Sequence, residues 1–243
     1  MKKTILFIFI ALLFSACDES QSSKYMGLKG HIEFVKDFQY ETNDKFGSIE
    51  AGSLIKCTTY TFNSNGDLTN TSIYDNSGSC VGSIENVYDG DMLSKIIFDS
   101  SYISNLIETK EDTTIWEINM GEETIRTEQI KNEKYFCTVI EQGYSIQKDE
   151  QWLDKNGNSI EHKVTEESSA AAAATEEDNI ILWSKSQYKD GDVIRTEYLK
   201  GQNIGIDTYS YSDHDDKGNW IKRTIYHNGK PLYIEEREIK YVK

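Results

Sequence analysis

The chain has 243 residues, 41 of them acidic and 26 basic, for a net charge of −15 at neutral pH. That balance excludes the basic footprint with which a protein neutralises nucleic-acid phosphates, and it is repelled by anionic lipid headgroups. Apolar residues make up only 37%, with fifteen tyrosines and one proline. Such a composition leaves no room for a proline-rich linker and suits a sheet whose faces are partly wet, since tyrosine joins an apolar ring to a polar tip.

The first element is a targeting segment. Met1-Lys2-Lys3 is a short positive start, Ile5 to Phe14 is a nearly unbroken apolar run, and Ser15-Ala16 are small. This is the order of a secretory signal, and the apolar run is too short to span a bilayer as a helix. Leu13-Phe14-Ser15-Ala16-Cys17 resembles the lipobox of bacterial lipoproteins, with Phe14 where leucine is more usual. The resemblance implies removal of residues 1–16 and lipidation of Cys17, and several acyl chains hold far more firmly than one. Removal takes away Lys2 and Lys3 and no acid, leaving 24 bases against 41 acids, a net charge of −17. Membrane contact is then expected through the acyl chains alone.

Residues 17–24 carry the lipidated cysteine and a polar stretch, Asp18 to Lys24, expected to be a flexible tether. The acidic pair Asp18-Glu19 is similar to the surface-export signal of Bacteroidetes lipoproteins, which implies the cell surface of the outer membrane. A periplasm-facing location is the alternative.

Residues 25–243 read as one β domain. Tyr60-Thr61-Phe62 leads into Asn63-Ser64-Asn65-Gly66, Ile73-Tyr74 into Asp75-Asn76-Ser77-Gly78, and Val87-Tyr88 into Asp89-Gly90. Trp152-Leu153 precedes Asp154-Lys155-Asn156-Gly157. Tyr188-Lys189 precedes Asp190-Gly191, and Asp216-Lys217-Gly218 and Asn228-Gly229 close the series. Asp or Asn at the first turn position bonds the backbone ahead of it, and glycine takes the positive-φ place of a short hairpin loop. The segments between are rich in Thr, Ile, Val and Tyr with partial alternation. The expected fold is all-β: an extended, curved antiparallel meander of about twelve strands built from hairpin repeats.

The pattern resembles YD/RHS-type repeats, and more closely a group of uncharacterised Bacteroidetes surface lipoproteins built from such hairpins. The residues carrying the likeness are Gly27-Leu28-Lys29-Gly30, Val35, Asp44-Lys45-Phe46-Gly47, and the run from Lys217 through Ile239. The resemblance implies fold and an extracytoplasmic setting, and it brings no activity or functional residues.

One segment, 165–179, breaks the pattern with five alanines at 170–174 flanked by Ser and Glu. Alanine favours helix, but a run this short does not hold one alone, so a mobile insert is expected, with strand resuming at Ile180. Three cysteines remain beside Cys17. Cys57 and Cys80, read as lying on neighbouring hairpin strands, are the candidate disulfide, and three unpaired cysteines are the alternative.

No spacing nominates a catalytic, cofactor-binding or metal-ligating residue. Asp213-His214-Asp215-Asp216-Lys217-Gly218 has the opening rhythm of a calcium loop. It fails at the fifth position, Lys217, and at the twelfth, Thr224, so an acidic hairpin turn is expected. His31, His162, His214 and His227 are scattered, and no nucleophile elbow, HExxH or phosphate loop occurs. Trp116, Trp152, Trp183 and Trp220 fit either a packed face or a ligand platform. The reading is a non-enzymatic, membrane-anchored binding or scaffold protein with a protein or glycan partner and no cofactor. An extracytoplasmic glycan hydrolase and a toxin- or immunity-related module are the alternatives.

Overall fold

The computed structural model describes residues 27–243 except 121–122, 133, 143–144, 157, 169–178 and 201–202. The signal segment, Cys17, the tether and the alanine run lie outside the described residues. The first half of the sheet is β1 (Ile32–Lys45), β2 (Ser48–Phe62), β3 (Leu68–Asp75), β4 (Cys80–Asp89), β5 (Met92–Phe98), β6 (Tyr102–Lys110), β7 (Thr113–Met120) and β8 (Glu123–Asn132). The second half is β9 (Tyr135–Gln142), β10 (Ser145–Leu153), β11 (Ser159–Ser168), β12 (Ile180–Lys189), β13 (Asp192–Lys200), β14 (Asn203–His214), β15 (Trp220–His227) and β16 (Lys230–Tyr241).

Every strand pairs antiparallel with its neighbour in the chain, and β1 pairs with β16 from Ile32↔Tyr241 to Glu41↔Tyr233. The all-β hairpin class is as expected, but the sheet is a closed barrel of sixteen strands instead of an extended meander of about twelve. Two physical facts explain the difference. Between β5 and β7 glycine does not mark the turns: Asp99, Ser100 and Glu111 themselves take φ of 49°, 56° and 50°. Closure rests on a seam between strands far apart in the chain, where Arg237 grips Asp37 with two bonds of 2.7 Å and Lys240 meets Glu33 at 2.6 Å. Closing the ring removes both sheet edges and their unpaired backbone groups.

Two smaller expectations also change. β11 runs through Ser168, so Thr165–Ser168 belong to the sheet and not to the insert, while strand resumes at Ile180 as expected. Cys57 and Cys80 are not on neighbouring strands. Cys57 sits opposite Tyr74 on β3, and Tyr74 sits opposite Cys80 on β4. Two strand spacings separate the backbones by roughly 9–10 Å, beyond the ~7 Å that a disulfide spans. All three described cysteines are free thiols, with Cys57 and Cys137 buried and Cys80 exposed.

The alternation along each strand decides what fills the barrel. Ile84, Ile96, Phe98, Trp116, Ile118, Ile125, Phe136 and Ile140, from β4 to β9, form one buried apolar cluster inside. A second cluster, Leu28, Ile32, Val35, Phe62 and Leu68, lies where the chain enters the barrel. The residues between the buried ones face outward and are charged. Across β5 to β9, Lys95, Asn105, Glu117, Arg126 and Glu141 stand opposite one another in register. Glu161, Lys185 and Glu197 do the same from β11 to β13, and Lys222 pairs with Glu236 at 2.7 Å. Outward apolar side chains such as Ile103, Ile146 and Ile204 are scattered among these charges. A membrane-spanning barrel has the reverse polarity, an apolar belt outside, and each Lys or Arg at its midplane costs about 2–4 kcal/mol. The described outer wall carries these charges where such a belt would lie.

Candidate functional site

Four hairpin turns share one design. In Asn63–Asp67, Asp75–Ser79, Asp154–Asn158 and Asp215–Asn219, the first side chain accepts N–H bonds from the residues two and four places on. Gly66, Gly78 and Gly218, at φ of 85°, 82° and 80°, return their N–H to the first carbonyl. Only glycine takes that backbone without strain. The acidic stretch 213–218 is such a turn: Asp215 spends its oxygens on Lys217 N–H, Asn219 N–H, Asn219 Nδ2 and the Tyr241 hydroxyl. Burial opposes the Asp215 charge, but these donors outweigh it and hold the carboxyl below its ordinary range. The Tyr241 phenol is pushed up to about 12 by burial and by that acid.

Antiparallel pairing places the turns after β2, β10 and β14 at the end where β1 begins. Residues 27–31 cross this end. Asn219 fixes them from both sides, accepting the Lys29 N–H at 2.6 Å and donating to the Lys29 carbonyl at 2.8 Å. Lys29 Nζ reaches the Gly218 carbonyl, Val242 N–H bonds the His31 carbonyl, and Leu28 is buried beneath. The barrel's own N-terminal segment is thereby fixed across this end.

Beside that segment lies a cavity of about 280 Å³, at the small end of ligand pockets. Its walls are Phe136, Tyr188, Tyr211 and Trp220, with Lys131 and Arg223 supplying positive charge and Gln151 an amide. Trp220 is aimed inward because the register slips between β14 and β15 at Asp213 and His214, and a bulge re-aims the side chain beside it. Its ring carries the guanidinium of Arg237 at 3.8 Å and that of Arg223 at 4.2 Å, so Trp220 holds the cations in place. Arg223 bonds Glu235 through Nε and Nη2 at 2.7 and 2.6 Å, leaving Nη1 with only a long 3.4 Å approach to the Tyr211 hydroxyl. Burial disfavours the Arg223 cation, yet Glu235 and Tyr211 hold it more firmly charged than usual. Tyr188 donates to the Ser159 carbonyl and Tyr211 to the Val193 carbonyl, which fixes both rings. Burial pushes the Tyr188 phenol up to about 12.

The carboxylates around the cavity are engaged. Asp192 meets His214 at 2.7 Å, Glu235 holds Arg223, and Asp37 holds Arg237. The other histidines do not converge: His162 bonds Asp149, His227 bonds Asp207 and Tyr198, and His31 bonds the Ser64 carbonyl. Among the tryptophans, Trp116 and Trp220 fill the packed face. Trp152 and Trp183 lie half-buried on the outer wall, beside Tyr135 and Glu161 respectively. Of the cavity residues, sequence reasoning singled out Trp220 alone. Lys131, Gln151, Tyr188 and Arg223 come from four strands, and no local pattern marks them as neighbours. The one legible signal is the polar break in the inward alternation of β15, where Arg223 falls between Trp220 and Ile225.

No family model matches the sequence, and no curated protein sequence matches it. Among solved structures, the chain is similar to a porin-like protein from Bacteroides vulgatus ATCC 8482, at 9% identity and a TM-score of 0.42, covering 88% of this chain and 99% of that one. It is also similar to a porin-like protein from Bacteroides uniformis ATCC 8492, at 10% identity and a TM-score of 0.34, covering 87% and 99%. Overlap that loose carries no argument about function.

Proposed function

We propose that this protein is a lipid-anchored, extracytoplasmic binding protein of the outer membrane, whose water-facing barrel holds a small ring-bearing carboxylate in its closed-end cavity. The anchor is Cys17, and the polar stretch after it spaces the barrel from the bilayer. The cavity carries the reading: two cations, Lys131 and Arg223, line one chamber with four aromatic rings, with Arg223 already paired to Glu235 and the lining acid Asp192 paired to His214. A carboxylate takes the positive end, and the rings flank an apolar or sugar ring. The charged outer wall and the closure by residues 27–31 support binding over conduction. A glycan hydrolase needs a pair of carboxylates free to act on the bond, and around this cavity the acids are tied to His214, Arg223 and Arg237.

Titration of tryptophan fluorescence with benzoate, glucuronate and glucose tests the site. The acids are expected to bind and glucose to bind at least tenfold more weakly, with Lys131→Met removing the difference. Equal binding of acid and neutral sugar, or none of either, refutes the site. The anchor is tested separately: Cys17→Ala is expected to abolish labelling by radioactive palmitate, and retained label refutes it.

A further inference from the structure

The two longest strands, β1 and β2, outrun the barrel they belong to. Pairing of β1 with β16 stops at Glu41↔Tyr233, and pairing of β2 with β3 starts at Lys56↔Asp75. At the base Leu54 pairs with Tyr40 and the Thr42 hydroxyl donates to the Pro231 carbonyl at 3.2 Å; beyond it Thr42 to Lys45 pair only with Ser48 to Ala51, through Thr42↔Ala51, Asn43↔Glu50, Asp44↔Ile49 and Lys45↔Ser48. They form a two-stranded ribbon standing beyond the rim, with both backbone edges open. The register slips twice at its base, around Tyr40, and Gly52 lies so close to the Glu41 carbonyl that an added Cβ would sit 3.3 Å from it. Bulges of this kind bend and twist a ribbon away from its sheet.

The tip is unusual in its chemistry. Phe46 and Gly47 both take positive φ, 58° and 86°, as a two-residue hairpin turn demands, and Asp44 accepts the Gly47 N–H at 2.9 Å. Asn, Asp or Gly suits the first of those places, whereas a bulky L-residue disfavours it. Here it holds a phenylalanine that is fully exposed, at 109% of its reference area. Neither local backbone preference nor burial within this chain accounts for an aromatic ring at that point. Around it the ribbon is acidic, with Glu41, Asp44 and Glu50 against Lys45, and Lys45 is already paired to Glu50 at 2.9 Å.

We propose that the β1–β2 ribbon is a docking finger that inserts Phe46 into an apolar pocket, rimmed by basic side chains, on a separate protein. An exposed aromatic anchor supplies the central contact of such an interface, the acidic shaft complements a basic rim, and the open edges can add a strand of the partner. A second copy is a poor occupant because each copy is itself strongly acidic, at −15 overall. A bilayer is a poor occupant because anionic headgroups repel the shaft. The finger also lies at the end of the barrel opposite residues 27–31. Fourteen strand residues, roughly 45 Å of extended chain, separate Ile32 from Lys45. With the chain anchored through Cys17, the finger points away from the membrane. That orientation rests on the anchor, and the exposure of Phe46 does not.

In-cell photocrosslinking of the full-length lipoprotein, in its own source cells, tests the proposal. One version carries benzoyl-phenylalanine in place of Phe46, and a control carries it in place of Ser212, an exposed outer-wall position. The expected result is one dominant protein adduct at position 46 that is absent at position 212. Peptide mapping is expected to place the crosslink in an apolar pocket bordered by Lys or Arg. Asp44→Asn with Glu50→Gln, which keeps the turn and removes two charges, is expected to cut that adduct at least threefold. An adduct at twice the chain's mass, a lipid adduct, the same adduct from both positions, no adduct at all, or an adduct indifferent to the charge change overturns it.

Discussion

Asp215 shows how one side chain ties local turn chemistry to the closure of the barrel. It caps its own hairpin through two backbone N–H groups and, through Tyr241 and Asn219, secures the strand end and the segment that crosses the mouth. Asp215→Ala is expected to lower stability by about 1.5–3 kcal/mol, the range for hydrogen bonds to a charged group, read by denaturant unfolding. The carboxyls of Asp75, Asp154 and Asp215 are all held below their ordinary range by such donors. Their folded values lie below the unfolded value of about 3.9, so their contribution is complete above that pH and is lost as pH falls through the folded values. The Tyr241 phenol, raised to about 12, works in the opposite sense. Its contribution is complete below the unfolded value of about 10 and is lost as pH rises through the folded one. Stability measured against pH is expected to fall at both ends, and Asp215→Asn is expected to flatten the acid limb.

The cysteines give a second test at this scale. Cys80 is expected to react with a maleimide in the folded protein, and Cys57 and Cys137 only after unfolding. Burial raises the thiol of each of the latter two and keeps it in its unreactive, protonated form. Protection of Cys80, or a mass two units low without reductant, contradicts the register of β2, β3 and β4.

Among the elements, β1 and β16 carry the closure. Their facing side chains are complementary: Glu33 to Lys240, Lys36 opposite Glu238, Asp37 to Arg237, and Gln39 to Glu235. Arg237 is almost wholly buried and Asp37 less so, so Arg237→Met strands a carboxylate that keeps some contact with water. The expected loss is about 2–3 kcal/mol, toward the low end for breaking a buried pair, and Asp37→Leu in the same chain is expected to recover part of it. Failure of the double variant to recover anything in urea unfolding argues that the seam is held by packing alone. The hairpins between β2 and β5, and those after β10, β12, β14 and β15, were legible because each turn carries its own glycine and Asx signal within five residues. The hairpins from β5 to β7 were not, because Asp99, Ser100 and Glu111 take the glycine role.

For the whole molecule, polarity is the deciding property. A charged outer wall and a mouth crossed by residues 27–31 predict that the protein forms no pore. Reconstituted into planar bilayers it is expected to give no stepwise conductance, and Cys17→Ala is expected to remain in solution without detergent. Stable conductance steps, or a strict need for detergent, contradict the water-facing wall.

Strand and turn character follow from the sequence by itself, because alternation and Asx–Gly turns act over five to ten neighbouring residues. The expectations of a targeting segment and of lipidation at Cys17 are local readings of the same kind. Only the tertiary structure decided that the sheet closes, which face is inside, and that Lys131, Gln151, Tyr188 and Arg223 share a chamber. Those outcomes depend on contacts such as Asp37 with Arg237, 200 residues apart, which no local pattern specifies. The ribbon at residues 42–51 has the same origin: β1 and β2 are long in the sequence, but the rim they outrun exists only once the barrel has closed.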